Sequence, residues 1–133
     1  MTTIQLDEQL QKDCHILKET DFCWLLLMDN SAIPWFIIVP KVSVTEVCDL
    51  TEQEQERLMN LSKSVSQFVR KNYPITKLNV AAIGNVVSQL HLHVIGRYHN
   101  DYCWPGVVWG QPIPSRYSAS EVVEIQAAIA AIF

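Results

Sequence analysis

The chain has 133 residues and a formal charge of −4, with 10 Lys and Arg against 14 Asp and Glu. That length suits one domain, residues 1–133, with a substantial core. The acidic balance speaks against non-specific nucleic-acid binding, which draws on a basic excess, but leaves room for a local site taking one small phosphorylated ligand.

In chain order, Leu6, Leu10, Cys14 and Leu17 stand at helical spacing and predict a short amphipathic helix within residues 4–18. The apolar run Phe22–Met28 predicts a buried strand, and Asp29-Asn30-Ser31 a turn. Trp35–Val39 predicts a second strand ended by Pro40, so the two form a hairpin. Thr51 and Glu54 are spaced as a capping box, and the apolar stripe Leu58, Leu61, Val65, Phe68 and Val69 follows it along a long helix. Leu78–Ile83 reads as a strand, Gly84-Asn85 as a turn, and Val86–Arg97 as a further strand. Residues 98–117 are irregular, rich in aromatics, proline and glycine. Ser118 and Glu121 form a second capping box, opening a C-terminal helix to about Ile132. Strands grouped in pairs between helices predict an α+β domain with an antiparallel sheet.

Cys14, Cys23, Cys48 and Cys103 are widely spaced, with no Cys-x-x-Cys pair. The first twenty residues are rich in charge, unlike the apolar core of a secretory leader. The expectation is four reduced thiols in a cytoplasmic protein. No apolar run approaches the ~18 residues of a membrane span, so no membrane partner is expected.

The most informative stretch is Gln89-Leu90-His91-Leu92-His93-Val94-Ile95. Strict alternation places Gln89, His91 and His93 on one face of an extended strand, with the two imidazoles roughly 6–7 Å apart. A solvated strand face is one reading of such a pair. A metal site is a second, since His-x-His can supply two ligands, although no third is spaced to join them. Covalent catalysis at phosphorus is a third. One neutral imidazole attacks, and a second, as imidazolium, steadies the phosphate oxygens or the leaving group.

This heptad resembles the signature of the histidine-triad (HIT) nucleotide hydrolases and transferases, His-φ-His-φ-His-φ-φ with φ apolar. The likeness extends over roughly residues 5–110. Leu25–Met28 followed by Asp29, then Trp35–Val39 followed by Pro40-Lys41, are similar to the family's two strands and their acidic and Pro-Lys ends. Gly84-Asn85 stands where the family has Gly-Gln, and Arg97 follows as the usual basic residue. The first triad position is Gln89, and Val86 stands where relatives often carry Ser or Thr. Glutamine in that place, with Arg97-Tyr98 and Trp104-Pro105…Trp109-Gly110, is similar to a bacterial subgroup.

The resemblance implies a HIT-like fold, a homodimer and a nucleotide substrate. It implies His91 as the nucleophile that forms a nucleotidyl-histidine, with its other ring nitrogen held by the carbonyl of Gln89. His93 would contact phosphate, Asp29 with Asn30 next would hold the ribose hydroxyls, and Gly84 and Asn85 would meet phosphate. Attack at the α-phosphorus of a nucleoside phosphoramidate or dinucleoside polyphosphate requires no cofactor, although a divalent cation can accompany a polyphosphate. The alternatives are a nucleotide-binding protein of the same fold with little turnover, because Gln89 cannot titrate, and a metal-dependent enzyme with His91 and His93 as ligands. Trp104 and Trp109 are read as covering a core edge, against lining a base pocket or a partner subunit, and His99 and Asp101 as a solvated loop, against reaching the leaving group.

Overall fold

Side-chain periodicity explains most of the architecture. In the computed structural model, which describes residues 3–132, a short helix α1 (Glu8–Asp13) leads directly into strand β1 (Cys14–Glu19). Strands β2 (Cys23–Met28) and β3 (Trp35–Pro40) follow, then the long helix α2 (Glu52–Asn72), strands β4 (Lys77–Ala81) and β5 (Leu92–Arg97), and helix α3 (Ala119–Ile129). The five strands form one antiparallel sheet in the order β1-β2-β3-β5-β4. The α+β class expected from the sequence is the class observed.

The helix expected across residues 4–18 is instead one helix of six residues and a strand. Cys14 and Leu17 are buried as helical spacing requires. Three apart in a strand, they point to opposite faces, Leu17 toward α2 and Cys14 into the other layer, and because both faces are covered both are buried, which mimics helical period. Asp7 caps α1 by accepting from the amides of Gln9 and Leu10.

Both faces of the sheet are covered, so β2 and β3 read as continuous apolar runs rather than alternating ones. Leu25, Leu27, Phe36, Ile38, Leu92 and Val94 pack toward α2, joined by Leu58, Val65 and Val69 from its buried stripe. Trp24, Leu26, Trp35, Ile37 and Ile95 face the other way and meet Leu6 from the N-terminal arm, Leu10 from α1 and Val108 from the irregular segment. Both capping boxes form: Thr51 with Glu54 at α2, and Ser118 with Glu121 at α3. Gly96 lies where α2 crosses the sheet. A Cβ there would stand 2.6–2.9 Å from side chains of Ile75, Val69 and Pro34. All four cysteines are free thiols. Among the described residues no helix is long and apolar enough to cross a membrane.

Candidate active site

Strand β5 is an inner strand, flanked by β3 and the edge strand β4, and its alternation decides where the histidines go. His93 pairs with Ile37 on one side and Ala81 on the other, and faces away from α2. The ladder begins only at Leu92, so Gln89–His91 lead into the strand rather than belonging to it. The alternation nonetheless persists, since Leu90 packs toward α2 with Leu92 and Val94. The rings of His91 and His93 meet edge to face with centroids 4.9 Å apart, closer than the spacing of extended residues suggested.

These rings line an open cleft of about 530 Å³, within the ordinary range for small-molecule sites. One wall is α1, through Gln9, Leu10 and Asp13. A second is the turn Ile83–Val87, where Gly84 takes a positive φ of 69° that a side chain would strain. The third comes from the irregular segment, with Trp109 and Ile113.

Hydrogen bonds assign both imidazole tautomers. His91 Nδ1 lies 2.7 Å from the carbonyl oxygen of Gln89. A carbonyl only accepts, so Nδ1 carries the proton, and in the neutral ring the lone pair is on Nε2. The situation at His93 is the reverse. The Trp35 indole N–H donates to His93 Nδ1 at 2.9 Å. Indole only donates, so this Nδ1 is the acceptor and the proton sits on Nε2. Burial, helped by the neighbouring His91, pushes the His93 pKa down to about 3. His93 is therefore a neutral hydrogen-bond donor, not the imidazolium that the sequence suggested. Trp109 packs edge to face on His93 at 5.2 Å and on Trp35 at 6.1 Å. Its indole N–H is buried and has no acceptor.

With both Nδ1 atoms engaged, Nε2 of each ring remains to meet a ligand. Among the described residues no group of three or more His, Cys, Asp or Glu side chains is placed to hold a metal ion.

Of the other residues singled out from the sequence, Gly84 and Asn85 line the cleft. Gln89 gives its carbonyl to His91, while its side chain turns to the N-terminal arm. Asp29 and Asn30 do not line the cleft. Asp29 lies at the end of β2, where its carboxylate accepts from His15 Nε2 at 3.0 Å, the Tyr117 amide at 3.1 Å and Arg116 at 3.3 Å. Burial opposes its charge, but these donors outweigh that and hold its pKa below the ordinary carboxylate value. Asn30 is fully buried, accepting from the Ala32 amide and donating to the Tyr102 hydroxyl. Both tie the β2–β3 turn to later segments.

The residues that sequence reasoning missed are Trp35 and Asp13. Trp35 was legible in principle, because it shares a face of β3 with Ile37, the cross-strand partner of His93. Asp13 was hidden by the helix expected through residue 18.

Arg97 anchors the segment that carries Trp109. It is almost fully buried, pairs through Nε and Nη2 with both oxygens of Asp101 at 2.8 and 3.1 Å, and also donates to Asn79 and to the Gly106 carbonyl. Trp104 lies over its guanidinium at 5.4 Å, with His99 against the indole. Asp101 is thus a buried partner rather than part of a solvated loop.

Such a sheet, with paired histidines at the start of an inner strand, defines a protein of histidine-triad type. A family model described as the HIT domain matches residues 9–100, and the chain belongs to that family, whose fold is associated with nucleotide-binding hydrolases and transferases. Three solved histidine triad proteins are similar along nearly the whole length. One from Marinobacter aquaeolei is 39% identical, with TM-score 0.91 and coverage of 98% of this chain and 96% of that one. One from Sinorhizobium meliloti is 35% identical, with TM-score 0.92 and coverage of 100% and 99%. One from Bradyrhizobium japonicum is 32% identical, with TM-score 0.90 and 98% of each chain covered. No curated protein matches the chain.

Proposed function

We propose that the chain, as a single HIT-like domain, is a nucleotide hydrolase or nucleotidyl transferase acting at the α-phosphorus of nucleoside phosphoramidates or dinucleoside polyphosphates. The observation that carries this reading is the Gln89 carbonyl on His91 Nδ1. It fixes the tautomer whose neutral ring carries its lone pair on Nε2, in a histidine that lines a cleft of nucleotide size. His91 Nε2 attacks phosphorus, the P–N or P–O bond to the leaving group breaks, and a nucleotidyl-histidine forms. Water then attacks phosphorus, the histidine–phosphorus bond breaks, and the mononucleotide is released.

The neutral His93 offers its Nε2–H to a phosphate oxygen, acting as a dipolar donor. Its pKa of about 3 keeps it from supplying the leaving group's proton near neutrality. Gln89 cannot supply one either, so that proton comes from solvent or from the substrate. Asn85 and the Gly84 turn meet the phosphates. Asp13, which lines the cleft, takes the ribose hydroxyls through Oδ2, its Oδ1 accepting from Gln9 Nε2 at 3.0 Å; Asp29 lies outside the cleft with both oxygens engaged. A buried donor without an acceptor is costly, and a ligand accepting from Trp109 would relieve that cost. A homodimer and a cytoplasmic setting belong to the same reading.

The test is product chromatography after incubation with adenylated and guanylated phosphoramidates and dinucleoside polyphosphates. Wild type should release mononucleotide, and His91→Ala should bind nucleotide without releasing it. Binding without release by wild type would replace hydrolysis with a binding role.

A further inference from the structure

The side chain of Gln89 makes two hydrogen bonds, both to the backbone of the N-terminal arm. Its Oε1 accepts from the Asp7 amide at 2.8 Å, and its Nε2 donates to the Gln5 carbonyl at 3.0 Å. A primary amide carries a donor and an acceptor together and does not titrate, so it can stand in for a peptide group beside an extended segment. Among the described residues the arm has no strand partner. Residues 3–7 lie outside any helix or strand, and Leu6 and Leu10 are its buried anchors. The same arm runs into α1, which brings Gln9, Leu10 and Asp13 to the cleft wall. Asp7, whose amide Gln89 holds, is also the residue that caps α1.

We propose that Gln89 is a positioning residue that works in two directions from one place in the chain. Its carbonyl holds the tautomer of His91, while its side-chain amide docks the arm so that α1 forms a wall of the nucleotide cleft. Glutamine at this position therefore exchanges a titratable group for a pH-independent fastening of that wall. The part of this proposal that concerns nucleotide rests on the function proposed above; the docking of the arm does not.

The experiment compares wild type with Gln89→Met, which keeps the length and loses both bonds, and with Gln89→Glu, which keeps the acceptor for Asp7 and loses the donor to Gln5. Amide hydrogen exchange is read at residues 7–13 and at β5, alongside the dissociation constant for AMP. Gln89→Met should lower protection across residues 7–13 by about tenfold or more with β5 unchanged, and weaken AMP several-fold. Gln89→Glu should fall between it and wild type in both. With an active wild type, KM should rise by more than kcat falls. Protection of residues 7–13 unchanged in Gln89→Met would overturn the proposal, as would equal loss throughout β5, or a collapse of kcat with AMP affinity intact. If wild type does not bind AMP, the nucleotide reading fails, and the exchange pattern alone still decides whether Gln89 docks the arm.

Discussion

Trp35→Phe isolates the interaction that sets the chemical state of His93. The substitution keeps an aromatic ring at a buried position of β3 and removes the indole N–H that donates to His93 Nδ1 at 2.9 Å. An acceptor left unsatisfied in the interior costs ~1–3 kcal/mol, and the smaller ring adds a cavity cost, so urea unfolding should show a loss near the upper part of that range. The same energy stabilises the neutral form of His93 in wild type. Its removal should raise the His93 pKa from about 3 by ~1–2 units, at 1.36 kcal/mol per unit. Freed from the indole, the ring should populate both neutral tautomers, so its Nε2–H is present only part of the time. Turnover should fall by ~10-fold, within the usual range for one preorganised donor. The assay is nitrogen-15 NMR of the histidine side chains across pH, with single-turnover kinetics beside it. A wild-type His93 protonated at Nδ1, or a Trp35→Phe protein with unchanged tautomer and titration, would refute the reasoning.

Further outcomes follow from other contacts. Because the His93 pKa lies below its ordinary value when folded, the unfolded chain binds the extra proton first as pH falls. This contribution to stability is full above about pH 6.5 and is lost toward pH 3, amounting to roughly 2 kcal/mol by pH 5. Urea unfolding at pH 7.5 and 5 should show a steeper loss for wild type than for His93→Gln, and parallel losses would contradict the assignment. Asp101→Asn leaves the buried Arg97 guanidinium without its carboxylate and should cost ~3–5 kcal/mol, read as a fall in Tm; a Tm unchanged within error would count against a buried pair. Gly96→Ala drives a methyl against Ile75, Val69 and Pro34 and should destabilise by ~1–3 kcal/mol, again read by urea unfolding. Asp13→Asn should weaken AMP by ~10-fold, the equivalent of one charge-assisted hydrogen bond. Asp29→Asn should leave AMP affinity nearly unchanged and lower Tm; the opposite pattern would restore Asp29 to the ribose.

The α+β class, the hairpin of β2 and β3, the two capped helices and the histidine face were determined by the sequence alone. Each rests on local chemistry: period-two alternation, apolar runs long enough to be buried strands, and Ser or Thr placed three residues before Glu. Local patterns also misled where two structures share one spacing. Strand β1 buries Cys14 on one covered face and Leu17 on the other, at an interval that a helix would also use, and so concealed that Asp13 stands at the end of a short helix and lines the cleft. Only the tertiary structure decided the state of His93, since the Gln89 carbonyl on His91 was already implied by the resemblance. Whether an imidazole is nucleophile or donor depends on what its other nitrogen touches, and those partners are the carbonyl two residues before His91 and an indole on a neighbouring strand. The second partner is 58 positions away in the chain, and it meets His93 only because β3 and β5 pair in this register.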